Sequence, residues 1–365
     1  MKKIAHLGID YHLSFLMVAM MIEGNKEPDE MVRLKNDDKV IRKYVSKLSE
    51  QFEIKACYEA STNGYCFQRK MTSWGYPCDV IAPSLIPRKP GDRRKNDFRD
   101  ARDLVQNYAA GRLSIVHPPS EQEESVRSLV RCRYAFKEAA KRVKQQINSF
   151  LLGQGQVWKH SKWTQQHRQW LLKMEMPHSH LKQVLSEHLA HLEYLETRLD
   201  HLDEEIETLA ASAVYAPSVK KLRALKGIRT CAAMLLIAEI TDFRRFPNPR
   251  ALMAFLGLIP SEDSSGDHRK GGPITKAGNH RCRTLLVEAV QHYANSPRIS
   301  ARMRGDLSHV DGATAVIALK CVSRLHKRFW ALSRKGKLRP VAITAIAREL
   351  VGFIWAIMQP QAAVG

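Results

Sequence analysis

The chain has 365 residues, 44% of them hydrophobic, and 58 Lys and Arg against 37 Asp and Glu, for a formal net charge of +21. That length suits two or three domains with real cores, and the cationic excess points to a polyanion, most simply nucleic acid, because neutralised phosphates release counterions. No run of about 18 uninterrupted apolar residues marks a membrane span, and the seven cysteines, with no CxxC pair, exclude a zinc ribbon and a disulfide frame.

The N-terminus runs straight into a strand with no apolar leader, so a cytoplasmic protein is expected. Residues 3–10 and 14–22 read as two strands with a tight connection, and 30–35 as a third. Residues 37–51 place Val40, Ile41, Tyr44, Val45 and Leu48 at helical spacing. A short strand at 54–59, a helix at 64–74 and a strand at 78–81 follow. Pro83, Pro87 and Pro90 then break the chain into a loop. From Asp97 the pattern is helical again, with Ala101, Leu104, Val105 and Tyr108 on one face. Three strands, then helix, strand, helix, strand, helix is the order that a ribonuclease H-like domain needs.

Residues 121–212 carry two long heptad-like series. Leu129, Phe136, Ala140, Val143, Ile147 and Phe150 form the first seam. After a Gly-Gln-Gly-Gln break, Leu185, His188, Leu192, Leu195, Leu199, Leu202, Ile206 and Leu209 form the second. The spacing predicts a coiled-coil helical hairpin that dimerises; a helix pair packed inside one domain is the alternative. From Pro217 the chain is basic. Leu225-Lys226-Gly227-Ile228-Arg229 before an apolar helix at 232–240 reads as a helix-hairpin-helix phosphate contact or as a simple packing turn, with Arg229 standing where such a hairpin has its second glycine. Residues 257–279 read as a Gly/Ser/Lys loop, and 279–295, 312–334 and 341–358 as three closing helices.

Four acids are candidates for chemistry. Asp10 and Glu59 end apolar strands, and Asp97 and Asp100 stand at i and i+3 on one helix face, roughly 5–6 Å apart at Cβ. Singly, each has an ordinary reading: strand ends for Asp10 and Glu59, a helix N-cap for Asp97, and a partner of Arg99, Arg102 or Lys95 for Asp100. Jointly, in that element order, they read as a metal site. Magnesium prefers carboxylate oxygen, and two such ions about 4 Å apart steady both the attacking and the leaving oxygen of a phosphoryl displacement. Arg93, Arg94 and Lys95 are candidates for backbone phosphates beside it. In the 257–279 loop, Arg269, Lys270 and Lys276 offer further cations, and a serine there could attack phosphorus if activated; spacing alone does not choose among Ser261, Ser264 and Ser265.

Taken in order, these motifs resemble one family. Its carriers are Gly8-Ile9-Asp10, Tyr58-Glu59-Ala60-Ser61 with Gly64-Tyr65, Asn96-Asp97-Phe98-Arg99-Asp100-Ala101-Arg102, Leu225-Lys226-Gly227-Ile228, Phe255-Leu256-Gly257-Leu258-Ile259-Pro260, Ser264-Ser265-Gly266 and Ile274-Thr275-Lys276-Ala277-Gly278-Asn279. They are similar to the DEDD transposases of the IS110 group of bacterial insertion sequences, understood as bridge-RNA-guided DNA recombinases. The resemblance implies an α/β plus all-α architecture: a RuvC-like domain of the ribonuclease H fold at 1–118, a coiled-coil hairpin at 119–212, and a mainly helical transposase domain at 213–365. It implies Mg2+ held by Asp10, Glu59, Asp97 and Asp100. By register from the Gly-Leu-x-Pro run, it also implies that the serine falling on Ser265 is a nucleophile that forms a phosphoserine intermediate. It also implies donor and target DNA and a structured guide RNA as partners, and a dimer or tetramer whose acids and serine come from different protomers. Guided pairing would then choose the sequence. The other readings are a metal-dependent nuclease resembling a Holliday-junction resolvase, without a covalent serine step, and a non-catalytic nucleic-acid scaffold.

Overall fold

A computed structural model describes residues 2–60, 63–83, 86–87, 96–265 and 268–359, with the side chains of 262–265 and 268–271 outside the description. The chain divides into two compact units, Met1–Pro119 and Ser120–Gly365.

The first unit is built on a six-stranded sheet. Its elements in chain order are β1 (Ile4–Tyr11), β2 (Phe15–Ile22), β3 (Glu30–Lys35), α1 (Asp38–Gln51), β4 (Glu53–Glu59), α2 (Cys66–Ser73), β5 (Cys78–Ile81), α3 (Asp97–Ala109) and β6 (Ile115–Val116). The strand order is β3-β2-β1-β4-β5-β6. β1 pairs antiparallel with β2 and parallel with β4, and β4 pairs parallel with β5. The short edge strand β6 is antiparallel to β5; two residues are too few to leave a periodic signal in the sequence. Both faces of the sheet are covered. Leu7, Ile9, Ala56 and Tyr58 share a core with Ile41 and Val45 of α1 and Phe67 and Met71 of α2. On the other face Met17, Ala19 and Met21 pack with Ala101 and Val105 of α3. Burial on two sides explains why β2 is apolar at nearly every position instead of alternating.

Helix ends follow local chemistry. Asp37 caps α1 by accepting from the backbone N–H groups of Lys39 and Val40. Asn96, not Asp97, caps α3, its side chain accepting from Phe98 N–H at 3.1 Å. The cap assignment that Asp97 would take on its own is therefore corrected: the residue before it does that work, and Asp97 is the first helical residue.

The second unit is mostly helical. α4 (Glu121–Gly153), α5 (Gln165–Lys173) and α6 (Ser179–Ala210) come first. Ser120 and Glu123 form a reciprocal capping box at the start of α4. α4 and α6 run antiparallel, since Arg133 bonds Asp203 at 2.6 Å while Lys144, farther along, bonds Glu196 at 2.7 Å. Ala140, Val143, Ile147 and Leu151 pack there with Leu171, Leu185, Leu192 and Leu195. At the other end of the pair, Val126, Val130, Ile206 and Ala210 join the main core of the unit.

That core is closed by α7 (Ala216–Arg223), α8 (Thr230–Ile240), α9 (Pro249–Phe255), a hairpin of β7 (Pro260–Ser265) and β8 (His268–Ile274), α10 (His280–Val290), α11 (Ala301–Leu307), α12 (Gly312–Arg334) and α13 (Arg339–Met358). α13 has the length and mean hydropathy, 1.8, of a membrane span, yet Ile343, Ile346, Leu350, Val351, Ile354 and Ile357 all sit inside the core cluster. It has the character of a core helix.

Two expectations are corrected here. Residues 257–279 are not a plain loop, because 260–274 form an antiparallel ladder. Their polar, glycine-containing sequence lacks the alternation that marks a strand; backbone pairing and the packing at the hairpin's base make it one. The stretch 279–295 is a helix only to Val290, continued by a 3-10 turn, and α11 follows where no helix was expected.

Burial alone would raise the Glu196 carboxyl, but hydrogen bonds from Arg168 and Lys144 prevail and hold it below its ordinary value. A depressed carboxylate contributes stability that is present above its unfolded value, near 4.5, and is lost as pH falls through the folded one. Glu196→Gln should lower the thermal midpoint at pH 7, and the gap to wild type should shrink as pH drops below about 4.5, followed by circular dichroism. A constant gap across that window would contradict the ion-pair account.

Candidate active site

The acids are placed by one close approach. Alternation along β1 turns Leu7 and Ile9 to the α1 side and Gly8 and Asp10 to the α3 side. A Cβ on Gly8 would stand 2.5 Å from the backbone nitrogen of Val105 and 2.8 Å from the carbonyl oxygen of Ala101. Only glycine lets α3 lie on the strand this closely. Two residues along β1 cover about 6.6 Å, and four residues back along α3 cover about 6 Å. Asp10 and Asp97 thus meet because Gly8 meets Ala101. The parallel register Ile9 to Tyr58 puts Glu59 beside Asp10 on the next strand, on the same face as Cys57, which packs against Leu104 of α3.

A histidine completes the group. The Nε2 of His12 lies 3.0 Å from Asp10 Oδ2 and 3.6 Å from Asp97 Oδ1. Ligand atoms of Asp10, His12 and Asp97 all fall within 4.8 Å of one another. Glu59 and Asp100 flank this trio without belonging to the mutually close set. His12 occupies the β1–β2 turn, where its N–H donates to Phe15 O at 3.0 Å and its ring stacks on Phe15 at 4.5 Å. Asn36 holds the turn, its Nδ2 donating to Tyr11 Oη and to the carbonyls of His12 and Leu13. Asn63 donates to Tyr11 O. Sequence reasoning passed over His12; its signal was a histidine two residues beyond Asp10 in a tight strand connection.

This donor set fits a divalent cation. Carboxylate oxygens are hard donors, and imidazole broadens the choice toward first-row transition metals. The Asp10 and Asp97 side chains are 23% and 41% exposed, open enough for a substrate to reach. One constraint follows from His12: its Nε2 either donates a proton to Asp10 or offers a lone pair to a cation, never both.

The serine hairpin is held at its base by two glycine contacts. Gly257, at φ +65°, lies so close to Ala277 that a Cβ would strike that carbonyl oxygen, and Gly278, at φ +102°, does the same with Phe255. Lys276 N–H donates to Gly257 O at 3.1 Å and Thr275 N–H to Ile259 O at 2.9 Å. The two motifs that flank the serine are therefore the two legs of one clamp. Asn279 ties the clamp to the core. Its Oδ1 caps α10, and its Nδ2 donates at 2.7 Å to Glu239. Glu239 is a buried carboxylate that Arg131 also meets with two hydrogen bonds of 2.7 and 2.8 Å. Ser265 ends β7, opposite His268 in the ladder, and Ser264 is opposite Arg269.

The basic candidates fare differently. Arg93, Arg94 and Lys95 lie outside the described residues, as do the side chains of Ser264, Ser265, Arg269 and Lys270. Lys276 is exposed at the hairpin's exit with φ +55°. Lys226 and Arg229 line a cavity of about 520 Å³ together with Arg133, Lys137 and Arg302. Burial lowers the Lys226 pKa, and its Nζ donates to Ser296 O at 2.9 Å. A Cβ on Gly227 would strike the Ala289 carbonyl of α10, so the turn packs closely on that helix.

A family profile described as a transposase, of the DEDD IS110 type, matches residues 7–154. A second, described as the transposase IS116/IS110/IS902 family, matches residues 219–304. The chain is 39% identical to a putative transposase, y4qE, of Sinorhizobium fredii, over 97% of this chain and 88% of that one. It is 30% identical to the transposase for insertion sequence element IS1533 of Leptospira borgpetersenii, over 92% and 99%, and 27% identical to a probable family 20 transposase of Pseudomonas aeruginosa, over 77% and 85%. The mixed α/β first unit and mostly helical second unit are consistent with a DEDD nuclease-like architecture.

Two outcomes test the site. Gly8→Ala should destabilise the first unit by about 1–3 kcal/mol, the usual cost of forcing atoms into a packed contact, read as a lowered thermal midpoint. In calorimetric titration with manganese, Asp10→Asn and Asp97→Asn should each weaken binding about tenfold or more, while Lys276→Gln leaves it unchanged.

Proposed function

Since this chain belongs to the IS110/IS116/IS902 transposase family, enzymes that cleave DNA and transfer strands, we propose that it is an RNA-guided recombinase working through Ser265 and a magnesium-dependent acidic site. The observation that carries this reading is the convergence of Asp10, His12 and Asp97 at the exposed end of the sheet, with Glu59 alongside. The strand order, three antiparallel strands followed by parallel crossovers, supports a ribonuclease H-like, RuvC-type fold for residues 1–118. The helix pair within 119–212 and the region 213–365 are then a coiled-coil module and a transposase module.

Asp10, Glu59, Asp97 and Asp100 would hold the cations, which supply electrostatic stabilisation of charge on the phosphoryl oxygens. His12 orients the Asp10 carboxylate through Nε2. In the transfer step, Ser265 Oγ forms a bond to phosphorus as one strand oxygen leaves; the serine proton is lost, and the leaving oxygen takes one up. One phosphodiester replaces another, so the exchange is close to isoenergetic and reversible by attack of a strand hydroxyl. The clamp of Gly257 and Gly278 steadies the strand that carries Ser265, which suits a nucleophile that must be positioned to within a fraction of an ångström. Donor and target DNA and a structured guide RNA match the charge of +21, and a dimer or tetramer allows the acids and serine to come from different protomers.

A second reading, a metal-dependent nuclease resembling a junction resolvase, is favoured by one fact: the trio of ligands is supplied entirely by the first unit. Incubation with element-end DNA separates the two. The recombinase gives a protein–DNA adduct that survives denaturation, absent in Ser265→Ala, while Asp10→Ala abolishes cleavage. Normal cutting and rejoining by Ser265→Ala would remove the covalent route. Sequencing the copurifying nucleic acid should return one discrete structured RNA; random cellular RNA would remove guidance.

A further inference from the structure

Between α4 and α6 the chain makes a turn whose composition is unlike the rest. Residues 154–173 hold Lys159, Lys162, Arg168 and Lys173, no Asp or Glu, and three of the six tryptophans. Trp158, Trp163 and Trp170 are half-buried around His167, which is 1% exposed. Trp170 stacks on His167 at 5.7 Å, Trp163 meets it edge-on at 5.2 Å, and Trp158 lies 5.4 Å from it and 5.3 Å from Trp170. The histidine is a pillar, not a titrating switch. Burial lowers its pKa, helped by Lys162 and Arg168, and its Nδ1 accepts from Trp163 N–H at 3.0 Å. That bond holds Trp163 at φ +66°, a conformation that a bulky residue adopts only when its surroundings impose it.

The surface beside this cluster is open. Trp158 and Trp170 line a cavity of about 190 Å³ with Lys162 and the exposed side chains of Leu152 and Val157, 67% and 60% accessible. A cavity of about 150 Å³ accepts a benzene ring. Arg168 is matched by Glu196 and Glu175 follows Lys173 by two residues, which leaves the exposed Lys159 and Lys162 as the cations beside the aromatic cluster.

We propose that this turn binds unpaired nucleotides, with a base seated against Trp158 and Trp170 and the lysines on its phosphates. Aromatic platforms among cations bind single strands because every base has a π-face. A duplex keeps those faces stacked inside and offers only phosphate. A second copy of this turn fits poorly, since Lys159 and Lys162 on each would face their counterparts. The inference rests on the nucleic-acid substrates of the family and asks nothing of the metal or serine chemistry.

The test uses the full chain, a dye-labelled oligothymidylate and a duplex of mixed sequence, by fluorescence anisotropy. Trp158→Ala should weaken single-strand binding about tenfold, within the range for loss of one stacked base, with duplex affinity within about twofold of wild type. Lys159→Gln with Lys162→Gln, both on exposed residues, should reduce the salt slope for the single strand by about 1.4. Trp158→Ala should keep the manganese affinity of the acidic site, so failure of the catalytic reading and failure of this one are distinguishable. Unchanged single-strand binding in a folded Trp158→Ala protein, with an unchanged salt slope in the lysine variant, would overturn the proposal. So would equal weakening of both ligands, or a Leu152→Glu protein that falls to monomers while its single-strand affinity is intact.

Discussion

The acidic site depends on a helix lying against a strand with no side chain between them. At Gly8 the backbone of β1 meets the backbone of α3 near Ala101 and Val105, and both partners are fully buried. Everything chemical at that end of the sheet is measured from this contact. It fixes the height of α3, brings the start of that helix level with the end of β1, and sets Asp97 beside Asp10. The cap supplied by Asn96 leaves the Asp97 carboxylate to face the site, and a helix N-terminus tolerates the negative charge gathered there.

The second unit solves a similar problem with different means. A short hairpin of polar residues has little apolar surface of its own to hold it in place. Its base is instead closed by two left-handed glycines packed on opposite backbones, and anchored through Asn279 to a buried carboxylate. Glu239 would be costly in that core if left alone; Arg131 and Asn279 satisfy both its oxygens. The polar network thus gives the hairpin a defined base, which a wholly apolar contact would specify less sharply.

Charge is distributed with similar economy of means. Two ion pairs cross between α4 and α6, Arg133 with Asp203 and Lys144 with Glu196, while Arg131 and Lys137 of α4 meet Glu239 and Glu288. In the segment that joins those helices Arg168 still meets Glu196, but residues 154–173 carry no Asp or Glu of their own and hold three tryptophans. The same hairpin therefore has an ion-paired shaft and an aromatic end bearing lysines, a division visible only once the partners across the pair are known.

Much of this was legible in the sequence. Periodicity placed the strands and helices of the first unit in order as far as α3, because alternation and 3.6-residue spacing are local properties. The acids were legible as candidates because Asp10 and Glu59 close apolar runs and Asp97 and Asp100 share the first turn of a helix. The heptad spacing marked α4 and α6 as long helices. Tertiary structure decided the rest. His12 was invisible because one histidine in a turn has no periodic signature, and its role comes from a contact with α3 some eighty-five residues away. The hairpin at 260–274 read as a loop because its strands are specified by glycine contacts and backbone pairing, not by an apolar pattern. Asn279 and Glu239 are forty residues apart and form one anchor. Sequence determines what each segment prefers alone; which side chains share a space depends on packing between segments, where the energy of a contact is set by both partners at once.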